Sequence, residues 1–540
     1  MTLWTQWWAW VLPLRKACSR QRTFLWMLSV LAAFCVREDL WGVTSMVRAL
    51  GIQAACYGPL LDFFHSTALD VEHLTRLWAA LVINTHPGLV RCNNRIVLLG
   101  DGLKVGKAGK KMPGVKRLFQ SSESNTKPQY ILGHSCQAVA VLVSGLASVA
   151  AIPLAARIHE GVVFSNRDKR TLLDKMNALL ASLGLTIPAY FVADAYYASR
   201  KTVRALLQRG DHLVTRLRMN AVAYYPAKQP EVRRRGRPKT YGGKVALKSL
   251  FAAPEKMTEI PSPVYGEQDV QLCVRSLDLL WRPVGHLVRF VAVQHPARGR
   301  ILLMTTDLAL EPADVIRLYG YRFKIEVAFK AALRTVGAFL YHFWMRPMDP
   351  IKRAGKNQYL HKKTEAYRAA VRRKLAAYHR FIQLGLIAQG LLLVLSTTVP
   401  DAVWSHFGSW LRTIRPNLCP SEAVVAMALR NTLPHFLAGD ATDPAFAKFL
   451  TERLDPETTG AAPILPLGAR VHAVRCRCSI CFHAASQRFD FTQVLKSRIR
   501  WPPIRDQRIP LRPNRVLTKV LQAASTGPLP MGSPCPRSSP

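Results

Sequence analysis

Two short apolar runs each close on an aspartate: Arg95-Ile-Val-Leu-Leu-Gly-Asp101 and Ala189-Tyr-Phe-Val-Ala-Asp194. Runs of this length, rich in β-branched and aromatic residues, read as strands buried in an α/β sheet, with a carboxylate at the strand end. Ala138–Val143 is a second apolar strand. Ala147–Ile158 is a third, which Pro153 confines to an edge or a bulge. Asp168–Leu183 has helical spacing through Leu172, Leu173, Met176, Leu179 and Leu180. Lys201–Gln208 reads as a further helix and His212–Arg218 as a further strand.

Three strands, helix, strand, helix, strand is the order of an RNase-H-like α/β core, and sheets of this kind place active sites at strand ends. The expected fold class is therefore α/β: an RNase-H-like catalytic core interrupted by a β-rich insertion, with helical N-terminal and C-terminal regions. The division runs as 1–90 helical, 91–218 first part of the core, and 219–304 insertion. It continues as 305–400 second part of the core, 401–490 helical, and 491–540 a basic disordered tail rich in Pro, Ser and Arg. In the first region Thr44 stands as an N-cap of a short helix ending at Gly51, and Pro59 lies in the first turn of the next. Two short helices around a turn suit a DNA-contacting module and a plain helical bundle equally.

Lys and Arg total 75 against 33 Asp and Glu, a net charge of +42. Such an imbalance destabilises a compact chain unless a polyanion shares its surface, so nucleic acid is the expected partner, with an anionic membrane surface the competing one. The 49% apolar content is too high for a mainly disordered chain. No membrane partner is expected. The apolar stretch Thr23–Val36 falls short of the ~20 residues of a spanning helix. Leu384–Val399 carries Gln389, Ser396 and two Thr and reads as a buried helix, and Arg15 follows rather than precedes the opening apolar run. Eleven scattered cysteines do not form a disulfide scaffold, which points to a reducing, cytoplasmic and nucleoid-associated location.

Asp101 and Asp194 in one sheet would repel, and a bridging divalent ion removes that cost; Mg²⁺ favours one or two carboxylates plus phosphate oxygens. Glycines flank Asp101, leaving room for close approach of backbone and phosphate. Basic residues crowd downstream at Lys104, Lys107, Lys110, Lys111, Lys116 and Arg117. A third element is Tyr319-Gly-Tyr-Arg-Phe-Lys-Ile-Glu326, followed by Lys330 and Arg334. At ~100° per residue, Tyr319, Arg322, Glu326 and Lys330 share one helix face, fit to complete a metal site and hold phosphates beside it. The plain alternative is a solvated face with a Glu326–Lys330 pair.

The blocks Leu-Gly-Asp101-Gly-Leu-Lys, Asp194-Ala-Tyr-Tyr and Tyr319-x-x-Arg322-x-x-x-Glu326 resemble those of bacterial insertion-sequence transposases of the DDE type, in the branch with a β-rich insertion. The likeness covers roughly residues 40 to 400 and includes Leu60–Ser66 and Tyr341–Trp344. It implies an RNase-H-like fold and two Mg²⁺ ions, for which Mn²⁺ substitutes, held by Asp101, Asp194 and Glu326. It also implies terminal-phosphate binding by Tyr319 and Arg322 in a Tyr-Arg-Glu-Lys signature, and a dimer in the synaptic complex. Leu333 stands where the signature lysine is expected, leaving Lys330 or Arg334 to reach the phosphate. The alternatives are a nuclease of the same fold without strand transfer, and a non-catalytic DNA-binding protein or decayed copy.

Three further features complete the reading. Arg233–Lys239 resembles the minor-groove core of AT-hooks through Arg237, but reads first as a generic phosphate-binding loop. Cys476, Cys478, Cys481 and His483 are too compressed for a usual zinc module. Trp281 reads as a core residue rather than a base-stacking one.

Overall fold

The computed structural model describes residues 2–120, 128–228, 239–264, 266–352, 354–409, 414–438 and 444–456. Arg237, the Cys476–His483 cluster and the tail from 491 lie outside them, as does all of a second unit, Ile464–Pro540.

Five helices open the chain: α1 (Leu3–Val11), α2 (Gln21–Val36), α3 (Thr44–Leu50), α4 (Tyr57–His65) and α5 (Val71–Thr85). Thr44 is the first residue of α3 and not its cap; its hydroxyl turns back to Trp41 O, and Val43 holds the cap position. Gly51 closes α3 in the left-handed conformation, φ 61°, which a side chain disfavours.

Then the period changes. Strands β1 (Arg91–Cys92), β2 (Arg95–Gly106), β3 (Lys116–Phe119), β4 (Tyr130–Gly145), β5 (Ser148–Ile158) and β6 (Val162–Val163) lead into α6 (Leu172–Ser182). This helix starts four residues later than its apolar spacing suggests, because Thr171 and Asp174 form a capping box. Strand β7 (Ala189–Ala193), α7 (Arg200–Gln208) and β8 (His212–Arg216) follow. Strands β9 (Val222–Pro226), β10 (Tyr241–Ala246), β11 (Thr258–Pro261), β12 (Gln271–Trp281), β13 (His286–His295) and β14 (Gly299–Thr305) come next.

One mixed sheet holds nearly all of them. Its middle runs β5-β4-β2-β7-β8, with β5, β4 and β2 antiparallel and β2, β7 and β8 parallel. Strand β14 adds to β8 antiparallel, so the strands from 222 to 305 extend the same sheet. Strand β5 is an edge with a register shift at Pro153. The distortion frees carbonyls that side chains then satisfy: Trp78 Nε1 donates to Pro153 O at 2.9 Å and Gln383 Nε2 to Leu154 O at 2.8 Å. Trp281 is buried in the core, as its sequence context suggests.

Beyond the sheet lie α8 (Pro312–Gly320), α9 (Phe323–Ala331), a π-helical turn (Ala332–Val336), β15 (Gln358–Tyr359) and α10 (Glu365–Thr398). Helices α11 (Pro400–Phe407), α12 (Glu422–Ala438) and α13 (Pro444–Thr451) end the described chain. The continuous helical texture expected after Glu311 is interrupted from Gly337 to Thr364, where a left-handed glycine, Pro347 and Pro350 break it. Helix α10 is long and apolar enough to cross a membrane by composition, yet 89% of its apolar window is buried inside the protein.

The two sheet faces bury different helices. Ile96, Leu98 and Phe191 pack with α2, α5, α6, α7 and α10. Val97, Leu99, Tyr190, Val192 and Val214 pack against α8 and α9. This is why the strands read as unbroken apolar runs rather than as alternating ones.

Candidate active site

Side chains alternate across a strand, so the face of a residue follows from its parity. Val97 and Leu99 face α8 and α9, and Asp101 is next in that series; Tyr190 and Val192 do the same on β7, and Asp194 follows them. Parallel pairing sets Gly100 beside Ala193 and Ala193 beside Thr215. Asp101, Asp194 and Arg216 therefore form one row across three neighbouring strands. Sequence reasoning missed Arg216, although Val214 two residues earlier carries the same alternation signal.

Asp101 does not end its strand. Strand β2 runs on to Gly106, but its pairing with β7 stops at Gly100, so the sheet opens beside Asp101. Its Oδ1 accepts from Gly102 N at 2.7 Å, and Asp194 Oδ1 accepts from Tyr196 N at 3.0 Å. Thr215 Oγ1 donates to Asp194 O at 2.8 Å and steadies that turn. The flanking glycines have separate roles. A Cβ on Gly100 would lie 2.2 Å from the Phe191 ring, so that space is already filled, whereas Gly102 is open, with only Cys136 O at 3.9 Å.

Glu326 reaches the row from α9. Tyr319 and Glu326 do not share one continuous helix: α8 ends at Gly320, and a tight turn with Arg322 N donating to Tyr319 O at 3.0 Å leads into α9. A Cβ on Gly320 would lie 2.5 Å from Val264, so a glycine there admits the loop before β12. Arg322 still meets both ends of the site: Nη1 donates to Asp101 Oδ2 at 2.9 Å and Nη2 to Glu326 Oε1. The Glu326–Lys330 pair is not made; Glu326 pairs with Arg322 instead.

Burial dominates the electrostatics of Asp101. Burial pushes its carboxyl up to about 6, opposed by the Gly102 amide and Arg322 and assisted by Asp194 and Glu326. Burial raises the Tyr319 phenol, with Arg322, Arg216 and Asp194 as its charged neighbours. Tyr197, raised mainly by burial, feels both aspartates and receives a 2.8 Å hydrogen bond from Gln137 Nε2.

After α9 the helix loosens into the π turn, where each hydrogen bond spans one residue more than in an α-helix. Leu333 turns half-inward and packs on the core, while Arg334 and Lys330 remain exposed, with no hydrogen-bonding or ion-pair partner among the described residues. The downstream basic residues also divide. Lys107 is buried, donating to Phe339 O and Tyr341 O, and burial drops its ammonium to about 7; Lys116 pairs with Glu160 at 2.8 Å. Lys104, Lys110, Lys111 and Arg117 face solvent.

Three carboxylates are hard oxygen donors that fit Mg²⁺ or Mn²⁺ in kind. Among the described residues no three Asp, Glu, His or Cys side chains are grouped to hold a metal ion as they stand. Arg322 spans two of the three carboxylates.

Residues 13–269, just under half of the chain, match the family described as DDE superfamily endonuclease. The matched segment contains Asp101 and Asp194 and is similar to DDE superfamily endonucleases; the match ends before Glu326. No curated protein matches the chain. Among solved structures it is similar to piggyBac transposase in a synaptic complex with hairpin DNA, seen by cryo-electron microscopy. That likeness has 13% identity, 84% coverage of each chain and a TM-score of 0.34, too low to bear on fold or function.

Proposed function

We propose that the chain is a DNA transposase of the DDE type, which cuts the ends of a mobile element and joins them to target DNA. The observation that carries this reading is the row of Asp101 and Asp194 on adjacent parallel strands, tied to Glu326 through Arg322. The five-strand order supports an RNase-H-like core, with 219–304 as its insertion, and the family match supports endonuclease chemistry.

Asp101, Asp194 and Glu326 would hold the divalent ions, Mg²⁺ or Mn²⁺. When bound, these supply activation of a water or 3′-hydroxyl for in-line attack and stabilise the leaving oxygen. Arg322, Tyr319 and Arg216 stand beside the carboxylates to orient phosphates; Lys330, Arg334 and Lys104 flank them. Double-stranded DNA is the substrate, a dimer pairs the two ends, and the setting is the bacterial cytoplasm.

The test is cleavage and joining of a labelled element-end duplex with Mg²⁺, wild type beside Glu326→Ala. Activity in the wild type alone supports the transposase. Cutting without joining leaves a nuclease of the same fold. Binding without cutting in either protein leaves the decayed-copy reading, which the inward-packed Leu333 favours.

A further inference from the structure

Beyond Asp101, β2 projects past the end of its pairing with β7, and its neighbourhood is basic and aromatic at once. Lys104 Nζ donates to Phe119 O at 2.6 Å; the Phe119 and Tyr130 rings meet edge to face at 5.4 Å; and Arg117 lies 3.8 Å over Tyr130. A cleft of about 550 Å³ separates Arg117 and Tyr130 from Lys110 and Ile351. The interrupted segment after the π turn is pinned to this surface by Met345 N donating to Lys111 O at 2.9 Å and Ile351 N to Lys110 O at 2.8 Å. It delivers Trp344, whose indole approaches over Gly109, where a Cβ would lie 3.0 Å from Nε1.

Two properties of this strip have no explanation among the described residues. Phe119, Tyr130 and Trp344 are 48%, 43% and 63% exposed, so large aromatic area stays in water that core packing would otherwise remove. Lys104, Lys110 and Arg117 have no carboxylate partner among the described residues, although they are held close together. A duplex satisfies the charge but leaves the rings idle, since its bases are already stacked on each other. An unpaired strand uses both, its phosphates on the cations and its bases on the rings.

We propose that this strip binds a single-stranded stretch of DNA leading away from the carboxylate site. The inference rests on the reading that the site acts on DNA. The test is fluorescence anisotropy on the full chain carrying Asp194→Ala, so that no cutting intervenes. It uses a blunt duplex and the same duplex with an extension of about ten unpaired nucleotides, within the range one such surface covers.

In that background Trp344→Ala and Tyr130→Ala are each expected to weaken binding of the extended probe by about tenfold, the usual loss per stacked base, with the blunt probe unchanged. Trp344→Phe should recover most of the loss. Arg117→Gln should weaken both probes and flatten the salt dependence by about one counterion. Thermal melts matching the parent's would show that the variants fold. For Trp344→Ala and Tyr130→Ala, equal loss on both probes, or none on the extended one, overturns the proposal while leaving the transposase reading intact; failure of the Asp194→Ala parent to bind either probe removes both.

Discussion

Arg322 Nη1 stands 2.9 Å from Asp101 Oδ2, while its other terminal nitrogen holds Glu326, so one guanidinium links two of the three carboxylates proposed to hold divalent ions. The arrangement makes Arg322 the counter-cation of Asp101 and Glu326.

Arg322→Ala should therefore destabilise the metal-free protein by about 1–3 kcal/mol, the range for a charge-assisted pair left unmade. Added Mg²⁺ should raise the melting temperature more in the variant than in the wild type. Thermal unfolding in EDTA and in Mg²⁺ reads this directly. Identical shifts in both proteins would mean that Arg322 and the metal do not share a place.

Gly100→Ala tests why a glycine precedes Asp101. The new methyl would overlap the Phe191 ring, 2.2 Å away, and Phe191 is itself packed edge-on against Tyr197 at 5.9 Å. Overpacking of this kind costs about 1–3 kcal/mol, and it displaces the backbone next to a carboxylate. A lower urea midpoint together with lost cleavage is the expected pair of results; an unchanged midpoint would argue against the close approach.

On the proposed transposase reading, Lys330 or Arg334 would take the part of the lysine expected at position 333, and Arg334 can be tested directly. Arg334 is exposed and unpaired among the described residues, whereas Leu333 packs on the core. Arg334→Ala should weaken element-end binding by about tenfold, ~1.4 kcal/mol for one charged phosphate contact. Leu333→Lys should not compensate for it, because that position points half-inward, and should lower stability. Rescue by Leu333→Lys would show that the turn straightens on DNA.

Arg216 continues the row of Asp101 and Asp194, since Ala193 pairs with Thr215, and on the proposed function it would orient a phosphate of the DNA. Arg216→Ala is expected to reduce cleavage at least tenfold while leaving the melting temperature within about one degree, since exposed charges contribute little to stability. A large loss of stability with normal cleavage would make it a structural residue.

Acid should unfold the protein through buried histidines. His134 lies between Tyr341 OH at 2.6 Å and Pro113 O at 2.9 Å, and burial, with Lys107 nearby, drops its imidazole to about 3. The unfolded chain takes up a proton near pH ~6.5 that the native state refuses. Stability is thus full above that pH and declines as pH falls toward about 3. Burial also lowers His86 to about 4 and His159 to about 3. Urea midpoints should fall between neutral pH and about pH 5, and by less in His134→Gln. A flat profile would place these side chains in water.

Much of the site was legible before any coordinate. The apolar runs ending at Asp101 and Asp194 named the strands, and alternation along Val97, Leu99, Asp101 and Tyr190, Val192, Asp194 already assigns both carboxylates to one face. These features are local, because a strand repeats every two residues whatever surrounds it. Helical spacing also located α6 and α7, with ends set by nearby capping residues.

Only the tertiary structure decided what lies opposite that face. Glu326 is joined to Asp101 through Arg322 across more than 200 residues of sequence, and no periodicity encodes such an approach. The expected single helix is divided at Gly320, where Val264 packs so closely that a Cβ would not fit. Tertiary packing buried Lys107 under the carbonyls of Phe339 and Tyr341 while leaving Lys104 and Arg117 in water. A lysine in a basic run looks the same as its neighbours until a distant segment folds over it. Local side-chain chemistry determines the elements and their faces; the free energy of burying those faces together determines which charges meet.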